Sequence, residues 1–284
     1  MDYWNLDSSV IFWSGTTQWT GGDLSGSTNQ NPRPYSLSSF SVIDSMIQSL
    51  ITNYNNLEDL VLIGNSAGGQ FVNRYLGGTT LNGQGKVRYV VCAPSHYLYF
   101  NEKRSLNNFE TPIVWGEPEG CSEYNNYRYG LENLNDYMSQ SSLDSIRSRY
   151  FRKKVDYLVG ELDYGGTTYC ESSVQGQTRV QRALVYYQHL LDFFSQSITS
   201  NHKISLISGV SHSANGLFNS NCGLYSIFYS GSCNQLSNLV FPTAGFEVYN
   251  NSGDYPLEVS FVNESNSGTH PIVSNVWDLE TKIL

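Results

Sequence analysis

Leu60 to Tyr75 reads LVLIGNSAGGQFVNRY, and the fold turns on this stretch. Leu60-Val61-Leu62-Ile63 is an unbroken apolar block with β-branched members, the composition of a strand buried on both faces of a parallel sheet. Ala67, Gln70, Phe71, Arg74 and Tyr75 suit a helix, with Phe71 and Tyr75 four apart on one face. Ser66 falls on the tight turn between strand and helix. Gly64 and Gly68, two positions to either side, are expected to let the two approach closely. A serine held in this G-x-S-x-G turn projects its hydroxyl from the carboxyl edge of the sheet, and the next amide, that of Ala67, is placed to bind an oxyanion.

The same alternation runs outward. SVIFWS (Ser9–Ser14) reads as a short strand, and a Gly/Ser/Asn/Pro-rich loop follows to about Leu37. Ser38–Tyr54 reads as a helix with Phe40, Ile43, Ile47, Leu50 and Tyr54 on its apolar stripe. Val87–Ser95, Lys154–Asp163 and His202–Val210 read as further strands, and Thr178–Ser195 and the run beginning CGLYSIFYS as helices. Residues 96–150 are rich in Tyr and Asn, with helical stretches near Tyr127–Met138 and Ser142–Arg152. Their place at the sheet's carboxyl edge suits a substrate pocket. Strands alternating with amphipathic helices give an α/β class: a mostly parallel sheet with helices on both faces.

Composition narrows the function classes. Of 284 residues only 14% are charged, well below the usual quarter, while Tyr alone numbers 21. The formal charge of −9, without a Lys/Arg-rich run, argues against binding nucleic acid through its phosphates. There is no apolar stretch long enough to span a membrane, and MDYWNLDSSVIFW lacks the features of a signal peptide. No C-x-x-C or histidine-rich spacing points to a metal. Cys92 reads as a core residue. Cys121, Cys170, Cys222 and Cys233 lie in polar surroundings and can form two disulfides, whose pairing spacing does not decide.

Ligands of such sheets bind at the carboxyl ends of strands. Asp163 closes the third strand of the series that begins at Leu60, and His212 lies two residues past the fourth, so both are expected at the edge that carries Ser66. A serine hydroxyl is a weak nucleophile until a histidine takes its proton, and a carboxylate fixes that histidine's tautomer. The chain order Ser, Asp, His is that of the triad of α/β hydrolases. Rivals fit less well: Asp156 lies inside its strand, Glu161 falls two short of its end, His189 is on a helix, His202 opens a strand and His270 is in the tail. His96, after Val87–Ser95, is at the right edge to line the pocket.

With FWSGTTQWTGGD, NSAGGQFVNRY, RYVVCAPSHYLYF, YRYGLENL, YLVGELD, SVQGQTRVQRALVYYQHL and GVSHSANGLFNSNCG, residues 9 to 230 resemble a group of α/β-hydrolase-fold proteins. The resemblance implies Ser66 as nucleophile, His212 as base and Asp163 as acid, with no metal or organic cofactor. It also implies a carboxylic ester, small or polymer-linked, as substrate. Asn65 stands at a pocket position where the group commonly has histidine. Cys170 and Cys222 match cysteines of the group, and a bridge between them would tie the loop after Asp163 to the loop after His212.

In that fold the nucleophile ends the fifth strand, whereas one candidate strand precedes Ser66 here. Three strands and the HG-type loop that gives the second oxyanion amide are therefore expected to be missing, with Met1 internal to a longer protein. Beyond an expected hydrolase-like domain (residues 1–235), residues 236–284 form a β-rich segment in which Leu257, Val259 and Phe261 alternate with polar residues. PLEVSFVNES and WDL resemble the first half of a PKD domain, with Leu279 replacing the usual Phe. That resemblance, the cysteines and the sequons at Asn250 and Asn263 imply an extracellular setting. The second reading, from a different class, is a catalytically incomplete hydrolase-like extracellular binding module.

Overall fold

Four of the apolar blocks of the sequence become one sheet, and most of its periodic segments become helices laid over it. In the computed structural model, residues 6–81, 83, 85–110, 112–233, 245–249, 252 and 259–265 are described, except for the side chains of 16 and 17. The elements run α1 (Thr16–Trp19), α2 (Ser39–Asn53), β1 (Leu60–Asn65), α3 (Ala67–Gly78), β2 (Val87–Cys92), β3 (Arg104–Ser105) and β4 (Trp115–Gly116). They continue α4 (Leu143–Arg152), β5 (Lys154–Gly160), α5 (Cys170–Ser173), α6 (Arg179–Phe194), β6 (His202–Ile207), α7 (Ala214–Phe218), α8 (Asn221–Phe228), β7 (Phe246–Tyr249) and β8 (Ser260–Asn263).

The main sheet is parallel throughout, in the order β1-β2-β5-β6. Side chains alternate across it. Tyr89 and Tyr157 face α3, α4 and α6 through ring contacts with Tyr75, Tyr186 and Tyr187 and the Tyr150–Tyr157 hydroxyl bond. Arg88 faces α8, donating to the carbonyls of Ser226 and Ile227 while it pairs with Asp59. Asp156 is on the same face beside Ser226, and its burial raises its carboxyl above the usual range. No helix among the described residues is long and apolar enough to cross a membrane.

Several expectations need correction. The Leu60 block is not buried on both faces: β1 is an edge strand that pairs, among the described residues, with β2 alone, and all six of its residues are half-buried. Ser9–Ser14 is not a strand. Its backbone is engaged by the loop that follows, with Gly26 N donating to Phe12 O at 2.7 Å and Arg33 Nε to Val10 O at 2.7 Å, and Val10 stays exposed. The stripe of α2 is rotated from the one expected: Phe40, Ile47 and Ile51 are buried, Leu50 lies to one side and Tyr54 is already the exposed C-cap. Residues 127–137 form turns and bends rather than an α-helix, with a single 3₁₀ turn at Met138–Gln140, because asparagine side chains offer the backbone other partners. Asn135 Oδ1, for example, accepts from Met138 N at 3.1 Å, and Asn133 has φ 48°.

The cysteines pair Cys121–Cys170 and Cys222–Cys233, not Cys170–Cys222. Left-handed backbone at Tyr229 (φ 53°) and Gly231 (φ 80°) reverses the chain after α8, so Cys233 returns to the first turn of that helix. Cys170, heading α5, meets the 96–150 insertion instead. Cys92 is a free, buried core thiol. In the C-terminal region β7 and β8 pair antiparallel. Leu257, Asn250, His270 and the WDL of the PKD resemblance lie outside the described residues.

Beneath the sheet's helices a buried hydrogen-bond chain joins α4, β5, α6 and β6. Tyr150 Oη lies 2.5 Å from Tyr157 Oη and 2.7 Å from Tyr186 Oη. Tyr157 Oη is 3.0 Å from His202 Nδ1, and His202 Nε2 is 3.0 Å from the Tyr150 carbonyl. The carbonyl requires the proton on Nε2, so Nδ1 accepts from Tyr157. Burial holds His202 down to about 4, from an ordinary value of 6.5. The neutral imidazole is the form this network stabilises, so its contribution is complete above about pH 6.5 and is lost as pH falls toward about 4. His96 and His189, also depressed by burial, act with the same sign. Urea melts are expected to lose on the order of a few kcal/mol between about pH 7 and about pH 4.5; a flat stability across that window would contradict this reading.

Candidate active site

Strand β1 runs straight into helix α3 with one residue, Ser66, between them. That residue has φ 57° and ψ −114°, a region that L-residues occupy under constraint. Its amide donates to Cys92 O at 2.9 Å, which ties the turn to the end of β2. The glycines that permit this are not quite those expected. A Cβ on Gly64 would lie 2.2 Å from Gly68 O, and one on Gly69 2.4 Å from Cys92 O, whereas one on Gly68 would meet nothing within 4 Å. Gly69→Ala is accordingly expected to destabilise the fold by about 1–3 kcal/mol through overpacking. Gly68→Ala should be neutral or slightly stabilising in the helix's first turn, a contrast that thermal melts of the two variants would read directly.

Two loops bring the other chemistry to this turn. Past β5, the chain turns with Asp163 N donating to Gly160 O at 3.1 Å, and Leu162 N bonds Val210 O at 2.9 Å, so the loops after β5 and β6 run together. Glu161 belongs to this scaffold, accepting from Ser208 Oγ at 2.8 Å and Gly209 N at 3.3 Å. His212 then stands between two partners: its Nδ1 is 2.7 Å from Asp163 Oδ2 and its Nε2 is 2.9 Å from Ser66 Oγ. The Asp163 side chain is 1% exposed and that of His212 30%. With the carboxylate accepting at Nδ1, the proton sits there and Nε2 faces the serine as an acceptor. The amide of Ala67 begins α3, at the positive end of that helix.

The two pocket candidates differ. Asn65, the last residue of β1, has a buried Oδ1 without a partner among the described residues. His96 is turned onto Arg74, whose Nη2 donates to its Nε2 at 2.5 Å, and onto the Tyr129 ring at 4.4 Å. Burial first, then the Arg74 charge, hold His96 well below the ordinary histidine range. Arg74 is itself buried, with its pKa pushed down to about 10, and also donates to Thr20 O and Arg128 O, pinning the N-terminal loop and the insertion to α3. The rival histidines are elsewhere: His189 is stacked in the ring cluster of α6, and His202 is in the tyrosine network.

One neighbour of the site escaped the sequence reading. Arg179 Nη1 donates to Asp163 Oδ1 at 3.0 Å, so both carboxylate oxygens are engaged. A signal was present, since Arg179 is a cation in the first turn of a helix, where the dipole disfavours it. Among the described residues, the one cluster with metal-ligand spacing is Cys121, Cys170 and Glu171. Its two sulfurs are joined in a disulfide and offer no thiolate.

No protein-family model matches the chain, and no curated protein matches it significantly. Among solved structures it is similar to LpqC, a poly(3-hydroxybutyrate) depolymerase from Bordetella parapertussis, at 17% identity and a TM-score of 0.53, over 78% of this chain and 68% of that one. A poly(aspartic acid) hydrolase-1 from Sphingomonas sp. KT-1 matches at 18% identity and a TM-score of 0.49, over 72% and 69% of the respective chains. The likeness to the depolymerase is one of fold: an α/β architecture with a mostly parallel sheet.

Proposed function

We propose that the protein is a serine hydrolase acting on a carboxylic ester, free or within a polymer, through a Ser66–His212–Asp163 triad. The observation that carries this reading is the unbroken line of hydrogen bonds, 2.9 Å and then 2.7 Å, from Ser66 Oγ through the imidazole to a buried carboxylate. It begins at a serine held at φ 57° on a strand-to-helix turn. Ser66 Oγ attacks the acyl carbon while His212 Nε2 takes its proton, and the Ala67 N–H stabilises the oxyanion. The imidazolium, stabilised by Asp163, returns that proton to the leaving alcohol. Water then attacks the acyl-enzyme, with His212 again as base, and frees the acid and Ser66.

The fold-level likeness to a protein named as a poly(3-hydroxybutyrate) depolymerase is in keeping with a polymer-linked ester. The two disulfides favour an oxidising, extracellular setting. Treatment of the purified chain with a fluorophosphonate probe, followed by peptide mass spectrometry, tests the proposal. A single label on Ser66 is the expected result. A folded chain that takes no label would return the function to a binding module of hydrolase-like fold.

A further inference from the structure

Arg179 stands where a helix least favours a cation, in the first turn of α6, with Arg182 in the same turn. Arg182 is engaged by neutral oxygens, donating to the carbonyls of Gly176, Ser95 and Thr167 and to Thr167 Oγ1. Arg179 instead meets a carboxylate, with its Nη1 3.0 Å from Asp163 Oδ1. The two segments are also joined through their backbones, Val180 N donating to Asp163 O at 3.2 Å and Arg179 N to Gly165 O at 2.9 Å. No other side chain among the described residues bonds Oδ1. A carboxylate is free to rotate about its last torsion within a broad well, and one that is 1% exposed has little water to hold it. Without Arg179, the atom opposite His212 Nδ1 would be unanchored and the buried charge would have one partner fewer.

We propose that Arg179 is a positioning residue for the hydrolytic reaction. Its guanidinium fixes the rotation of Asp163 so that Oδ2 stays aimed at His212 Nδ1, and it supplies the counter-charge for a carboxylate shut away from water. This inference rests on the serine-hydrolase reading above. Gly165 is part of the device: a Cβ there would lie 2.8 Å from Arg179 Nη1, so Gly165→Ala displaces the guanidinium while leaving its charge in the molecule.

The test compares Arg179→Ala, Arg179→Lys and Gly165→Ala with the parent chain. Three readouts are needed: the rate of fluorophosphonate labelling at Ser66, kcat and KM on an activated ester, and a thermal melt. Arg179→Ala should lower kcat and the labelling rate by about ten- to a hundredfold, by analogy with the loss of partners that orient metal-ligating side chains, with KM nearly unchanged. Arg179→Lys and Gly165→Ala should fall between it and the parent, and added guanidinium ion should raise the rate of Arg179→Ala alone. A purely structural role would lower the melting temperature and leave labelling per folded molecule untouched and unresponsive to guanidinium, and that result overturns the proposal. Should Arg179→Ala not fold, parent-like rates in both other variants overturn it equally. If the parent chain labels at Ser66 and Arg179→Ala labels as fast, the role of Arg179 alone falls. If the parent chain does not label, the hydrolase reading falls first and this inference with it.

Discussion

Replacing Ser66 by alanine is expected to remove ester hydrolysis and probe labelling together, with kcat falling by about 10⁴- to 10⁶-fold, as in enzymes whose nucleophile belongs to a triad. The loss should fall on kcat rather than KM, because the hydroxyl forms a bond to substrate in the transition state and contributes little to the bound ester. Stability should barely change. Among the described residues the one hydrogen bond of the Ser66 side chain is to His212 Nε2, and alanine suffers the same strain at φ 57° as serine does. Ser9→Ala is the matched control: Ser9 is an exposed residue whose hydroxyl bonds Asp7, and its variant should keep full activity. Ester hydrolysis by Ser66→Ala at more than a trace of the parent rate would sink the proposed mechanism.

Asp163→Asn is the second large effect, expected at about 10⁴-fold in kcat. The substitution keeps the shape of the side chain and changes what it asks of the imidazole. An amide that presents its NH2 toward His212 Nδ1 draws the lone pair there, which moves the ring proton to Nε2. That nitrogen, 2.9 Å from Ser66 Oγ, then has no lone pair with which to accept the serine proton. The variant also leaves Arg179 facing a neutral amide at the head of α6. Glu161→Gln provides the comparison, since Glu161 accepts from Ser208 and Gly209 in the scaffold beneath the site, and a much smaller loss is expected there. Equal losses in the two variants would mean that loop geometry, and not the tautomer of His212, accounts for the effect.

Much of this was legible along the chain because it is local. A buried strand, a tight turn and an amphipathic helix each leave a period and a punctuation mark within a dozen residues. Ser38 capping α2, with its side chain accepting from Phe40 N, is one such mark. So is Ser66, placed one residue after a six-residue strand and one before a helix. Parallel strands joined through helices bring all their carboxyl ends to one edge, so the presence of Ser66, Asp163 and His212 at that edge follows from connectivity alone.

What depends on distant segments meeting was not legible. Strand β1 reads as a core strand because its composition is apolar, but burial is set by neighbours, and it lies at an edge. SVIFWS has the composition of a strand but, among the described residues, no strand beside it; its backbone bonds to residues 26 and 33 instead. Gly68 and Gly69 look alike in sequence, and only the approach of Cys92 O from β2 makes the second one indispensable. Disulfide pairing follows the same rule, because Cα separations of 5.8 Å and 4.6 Å are properties of the packed chain and not of spacing. The sequence by itself thus determined which candidate residues lie at the carboxyl ends of the strands and that they share one edge. The tertiary structure alone decided their contacts, above all the one between Arg179 and Asp163, because a hydrogen bond depends on distances of a few tenths of an ångström that no local period encodes.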